Sequence, residues 1–129
     1  VQTCALPIYN YVTELVLEAG DWRLNTVFSN IEVKVKTGSQ ASYIEAYKLL
    51  TDSTADSFGS YGINRVVYGN KYVSHMLYNG SNSIQELNDA LDEVYASNEF
   101  KSFNRKVGNI RKLVNSTLAQ LVKAYPAER

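Results

Sequence analysis

NIEVKVKTGSQASYIEAYKLL (residues 30–50) holds in one stretch the two periodicities that decide the fold. From Asn30 to Lys36 the apolar Ile31, Val33 and Val35 alternate with Glu32, Lys34 and Lys36, the period of two that marks a half-buried strand. Gly38 then turns the chain, and Ser39 can cap a helix in which Tyr43, Ile44, Tyr47 and Leu50 share one face. Such a helix must lay its apolar stripe on the apolar face of a sheet.

Downstream, TDSTADSFGS (51–60) is polar and reads as a helix end and loop. YGINRVVYGNKYVSHMLYNG (61–80) contains two β-rich runs around Gly69-Asn70, a pair that suits a two-residue hairpin loop. That loop sets Val66 opposite Val73, Arg65 opposite Ser74, Asn64 opposite His75 and Ile63 opposite Met76. In SIQE, Ser83 and Glu86 form a capping box before a helix striped by Ile84, Leu87, Leu91 and Val94. Asn98 is the predicted cap of a further helix carrying Phe100, Phe103, Val107, Ile110 and Val114. The pattern predicts strands near 30–36, 62–68 and 71–79, and helices near 39–52, 83–96 and 98–114. STLAQLVKAY (116–125) fits either a continuation of the last helix or a closing strand near 117–124. Upstream, YNYVTELVLEAG (9–20) alternates weakly and predicts a strand ended by Gly20-Asp21. The order βαββαβ over residues 27–125 defines an α+β, ferredoxin-like unit: an antiparallel sheet with helices on one face.

The chain has 129 residues, 45% of them hydrophobic and 20% charged, the size and composition of one globular domain. No apolar run approaches the roughly 18 residues of a membrane helix, so no membrane association is expected. The one histidine excludes a histidine-rich metal cluster, and no metal or cofactor site is expected. VQTCALPI (1–8) holds the sole cysteine and resembles a translated sequencing adapter, so it is read as non-native. Residues 9–26 are then a leading edge strand and turn, or the remnant of an upstream unit, and 126–129 are a tail. Residues 1–99 carry six Lys or Arg against twelve Asp or Glu, and residues 100–129 carry seven against one. Because Lys101, Arg105, Lys106, Arg111 and Lys112 alternate with apolar residues, they read as a solvated face beside an acidic helix and not as a nucleic-acid site.

IEVKVKTGSQASYIEAYKLL, the hairpin and the SIQELNDAL helix together resemble the dimeric α/β-barrel superfamily, in which two ferredoxin-like units pack sheet to sheet. The resemblance covers residues 27–125 and implies a cavity between two sheets. It extends to antibiotic-biosynthesis-type monooxygenases, haem-degrading enzymes and small cyclases, so it implies a small-molecule-binding protein or a cofactor-independent oxygenase, cyclase or isomerase. A homodimer through the sheet faces is expected on a second ground. Ile31, Val33, Val35 and the two mixed faces of the hairpin exceed what two or three helices can cover.

His75 is the only side chain that titrates near neutrality, and the predicted register lets Asn64 orient it as a general base or haem ligand. The competing role is a hydrogen-bonded structural histidine. Glu32 and Lys34 fall on one side of their strand and can face a cavity. Among ten tyrosines, Tyr61, Tyr68, Tyr72 and Tyr78 concentrate in the hairpin. Their amphipathic rings suit a pocket for a small aromatic ligand, with Tyr68 as ligand-binding candidate, and equally suit a sheet interface. The alternative function is therefore a non-catalytic interaction module.

Overall fold

The computed structural model describes residues 12–122; the adapter-like octapeptide and the 126–129 tail lie outside them. Strands β1 (Val12–Gly20), β2 (Val27–Val35), β3 (Ser60–Tyr68), β4 (His75–Ser81) and β5 (Arg111–Gln120) form one sheet in the order β1-β3-β4-β2-β5. Every neighbouring pair is antiparallel. Helix α1 (Gln40–Ser53) links β2 to β3, while α2 (Ile84–Ala96) and α3 (Asn98–Val107) link β4 to β5. Each link returns to a strand two places away, with β4 lying between β2 and β3 and β2 between β4 and β5. This interlocked βαββαβ order is the ferredoxin-like fold, and β1 extends it along the outer edge of β3.

Side chains directly opposite one another across antiparallel strands share a face. One face carries Ile31, Val33 and Val35 of β2, Leu77 of β4 and Ile63 of β3, packed against Tyr43, Ala46, Tyr47 and Leu50 of α1 and Phe103 and Val107 of α3. Val33, Tyr43, Ile63 and Val107 are fully buried there, at 0% exposure. The three valine-family residues of β2 thus find their cover within the chain. The uncovered face is the one that the intervening residues of β2 occupy.

Local chemistry departs from the sequence reading at five points. Helix α3 stops at Val107, not near 114, because the Gly108 N–H closes the last turn on Asn104 O at 2.9 Å and Ile110 N–H bonds back to Val107 O at 3.0 Å. The chain released there runs as β5 along the whole of β2, from Arg111 opposite Val35 to Gln120 opposite Val27, which satisfies the edge of β2 that a longer helix would leave bare. Ser97, not Asn98, caps α3, its Oγ accepting from Phe100 N at 3.1 Å. Ser39 stands at the start of α1 without a side-chain cap bond, and Gln40 Oε1 instead accepts from Gly38 N at 3.0 Å. At α2 Ser83 Oγ does accept from Glu86 N, at 3.1 Å, but the Glu86 carboxylate reaches Asn82 N instead of closing the box on Ser83.

The fifth departure is the hairpin register. Gly69 takes φ +113°, Asn70 Oδ1 accepts from Tyr72 N at 2.7 Å, and Val73 folds into the core at 2% exposure. The loop is therefore longer than two residues, and the strands pair as Arg65 with His75, Asn64 with Met76 and Ile63 with Leu77. Every pair is displaced by one residue from the two-residue-loop register. Since the side-chain period of a strand is two, a slip of one sends each β4 side chain to the opposite face.

Candidate functional site

The slip separates the two residues that the sequence brought together. His75 lies on the helix-covered face, 1% exposed, opposite Val33 and with its ring 5.9 Å from that of Tyr43. Its Nδ1 is 2.9 Å from Ser74 Oγ, which also accepts the Val35 N–H at 2.7 Å. Burial pushes the imidazole pKa below its ordinary value, and the nearby Arg65 charge pushes it the same way, so the ring is held neutral in a packed wall. Asn64 lies on the opposite, uncovered face, across from Met76. Glu32 and Lys34 do share that uncovered face, but neither enters its central depression, and the Lys34 Nζ donates to Lys71 O at 2.7 Å. Tyr68, 72% exposed at the far end of β3, also lies outside it.

What the uncovered face does form is a trough of about 660 Å³, lined by Thr13, Leu15, Glu18, Trp22, Phe28, Asn30, Asn64, Met76, Leu77, Tyr78, Ala119 and Leu121. Three rows of paired residues cross this face, and the trough lies over part of each. Leu15, Asn64, Met76 and Glu32 stand side by side across β1, β3, β4 and β2; the next row is Glu18, Gly62, Tyr78 and Asn30; the third is Gly20, Ser60, Gly80 and Phe28. Beyond β2, Ala119 of β5 adjoins Phe28. The segment joining β1 to β2 carries Trp22 to the end of the trough.

The middle row depends on a missing side chain. A Cβ on Gly62 would sit 2.5 Å from Tyr78 Cε1 and 2.9 Å from Leu17 O, so the Tyr78 ring lies over the bare backbone of β3 and leans towards Glu18. Phe28 packs edge-on to it, with centroids 6.3 Å apart. The Tyr78 hydroxyl is buried without a hydrogen bond of good geometry, although the Glu18 carboxylate faces it. Burial, then the charge and acceptor character of Glu18, push the Tyr78 pKa up to about 12, so the phenol stays protonated and can act only as a donor or acceptor of hydrogen bonds. The sequence reading noted Tyr78 only as one of several tyrosines and passed over Glu18, Phe28, Asn30 and Met76. The available signal was the glycine at position 62 within a strand run, which marks a close approach of another group to the backbone.

A second, smaller cleft of about 60 Å³ lies under the helices, with Tyr47, Tyr61, Tyr95, Phe103 and Arg111 among its lining residues. Arg111 stacks 5.2 Å over the Phe103 ring and donates to Asn104 Oδ1 at 2.8 Å. Its volume is well below the roughly 300–1,000 Å³ of ordinary ligand sites, a range into which the trough falls.

No protein-family model matches the sequence, and no curated protein matches it. Solved structures do share its shape. The chain is similar to a nipsnap-family protein of unknown function from Agrobacterium tumefaciens, with a TM-score of 0.62 and 13% identity over 80% of this chain and 95% of that one. It is also similar to a major regulator of staphylococcal pathogenesis, at TM-score 0.61 and 12% identity over 84% of this chain and 67% of that one. A Lactobacillus acidophilus protein provisionally assigned as a monooxygenase is similar at TM-score 0.54 and 16% identity, over 84% of this chain and 52% of that one. These likenesses and the strand order place the chain among α+β proteins of ferredoxin-like fold.

Proposed function

We propose that this protein binds a small aromatic ligand in the trough on the uncovered face of its sheet, and that a second copy of the chain closes the trough. One observation carries the reading: a drug-sized depression holds apolar side chains (Leu15, Trp22, Phe28, Met76) around a few convergent polar groups (Glu18, Asn30, Asn64, Tyr78). The buried, poorly partnered Tyr78 hydroxyl adds to it, because such a group costs about 1–3 kcal/mol unless something hydrogen-bonds to it. A ligand oxygen or nitrogen would supply that bond. Leu15, 55% exposed, is apolar surface that a second sheet would remove from water.

In this reading Tyr78, Asn64 and Asn30 orient the ligand, Glu18 accepts a proton or hydrogen bond from it, and His75 has the structural role of filling the wall behind β4. The provisional assignment of the Lactobacillus acidophilus protein makes oxygenation of a bound phenol by dioxygen the reaction class to test first, one oxygen atom entering the ring to give a quinone and the other leaving as water. Trp22 is the only tryptophan and lines the trough, so its emission reports occupancy directly. Aromatic ligands should change that emission saturably and raise the melting temperature, and Met76→Trp, which fills the trough floor, should abolish the stabilisation. Saturable binding that survives Met76→Trp would place the ligand elsewhere and sink the proposal.

A further inference from the structure

We infer that the trough selects a cationic ligand: an ammonium group carried on an aromatic or other apolar body. The inference rests on the trough reading above and specifies the charge of its ligand. Among the twelve lining residues Glu18 is the single charged side chain, and no lysine or arginine stands with it. Among the described residues, Glu18 forms no ion pair, whereas the nearest acid along β1, Glu14, is held by Arg65. Two further basic groups border this face: Arg23 meets Asp21 at 3.4 Å and lies over the Trp22 ring, 4.9 Å from its centroid, while Lys34 donates to the Lys71 carbonyl at 2.7 Å.

The rest of the lining points the same way. Phe28 and Tyr78 offer two aromatic rings, whose electron-rich faces attract a cation, most strongly when water is excluded, whereas the Trp22 ring already carries the Arg23 guanidinium. The polar groups that remain are side-chain amides and hydroxyls that can accept from an ammonium. An anionic ligand would meet the charge of Glu18, exposed in the single chain, with no lysine or arginine among the lining residues to offset it. A second copy of the chain closing the trough brings the same lining, so the sign of the chamber is unchanged. The Tyr78 phenol, kept protonated next to Glu18, adds no negative charge of its own.

The test is a matched series that differs only in the polar end: 2-phenylethylamine, 2-phenylethanol and 3-phenylpropanoate, titrated against Trp22 emission and by calorimetry at low ionic strength. The amine should bind roughly two- to fivefold more tightly than the alcohol, as suits an ion pair with an exposed carboxylate, the carboxylate should bind weakest, and added salt should shrink the difference. Glu18→Gln should bring the amine down to the affinity of the alcohol and leave the alcohol nearly unchanged. If the alcohol binds in the trough and the amine gains nothing over it, or the gain survives Glu18→Gln, the charge assignment is wrong while the trough reading stands. If none of the three perturbs Trp22 or releases heat at millimolar concentration, both fall together.

Discussion

The two faces of this sheet are built from alternate residues of the same strands and have opposite fates. On the helix side Val33, Val35, Ile63 and Leu77 are between 0 and 8% exposed and interdigitate with α1 and α3. On the other side Phe28, Asn30, Met76 and Tyr78 are only half-buried, and they border a trough in place of a core. The contrast teaches that alternation reports a two-sided strand, but the location of helices decides which side becomes core. The residue types follow: the covered side of β2 is almost all β-branched, while the uncovered side mixes rings, amides and charges.

The contrast is broken most severely by equal truncations on both sides. Ile63→Ala should lose about 2–5 kcal/mol of unfolding free energy, since the site is fully buried and cannot collapse around the gap. Leu15→Ala should change the stability of the isolated chain by no more than about 0.5 kcal/mol. Urea titration in dilute solution reads both. At higher concentration sedimentation should show Leu15→Ala weakening self-association. If Leu15→Ala costs as much as Ile63→Ala in dilute solution, the trough is already filled by protein, and the two faces do not differ as described.

Gly62→Ala sharpens the difference, because it alters only the open side. The new methyl must push the Tyr78 ring off the β3 backbone and also crowd Leu17 O, a cost of about 1–3 kcal/mol. Ligand affinity should fall with it, and the Tyr78 ring resonances should shift while those of Tyr43 stay put. Unmoved Tyr78 signals in a stable variant would contradict the described packing.

His75 tests the covered side through pH. Its folded pKa lies below the ordinary 6.5, so above that value both folded and unfolded chains hold a neutral ring and His75 is neutral in its effect. As pH falls through 6.5 the unfolded chain takes up a proton that the folded chain resists, and stability declines until the lower folded pKa is reached. His75→Gln should remove this part of the decline in the urea midpoint between neutral and mildly acid pH. A histidine on a solvated cavity wall would show no such loss, so an unchanged pH profile would return His75 to the open side.

Much of the fold was legible because it rests on local signals: the alternation of β2, the stripe of α1 and the cap at Ser83, whereas the cap of α3 fell one residue before the Asn98 expected. The site was less so, because it is a property of register. The loop from Gly69 to Ser74 looks like a two-residue hairpin only if Val73 belongs to a strand, whereas burying Val73 in the core lengthens the loop by enough to move His75 to the other face. No periodicity distinguishes those cases, since both runs stay β-rich. Likewise the end of α3 hinged on Gly108, and the apolar residues beyond it fit a helix stripe until the bare edge of β2 is considered.

The smallest effect expected is also the finest test of the open side. Tyr78→Phe deletes a hydroxyl that is buried and lacks a hydrogen bond of good geometry, so the variant should match the parent chain within about 1 kcal/mol, or exceed it slightly, because the desolvation of an unpaired group is relieved. On the covered side the same deletion at Tyr47, whose hydroxyl reaches Gly62 O at 3.4 Å, should cost no more, since that bond is long. The discriminating measurement is a double-mutant cycle of Tyr78→Phe with Glu18→Gln. A coupling near zero means that the phenol is held open for a ligand. A coupling above about 1 kcal/mol means that the phenol and carboxylate close on each other in the free protein, and a ligand would then have to displace that bond before it could bind.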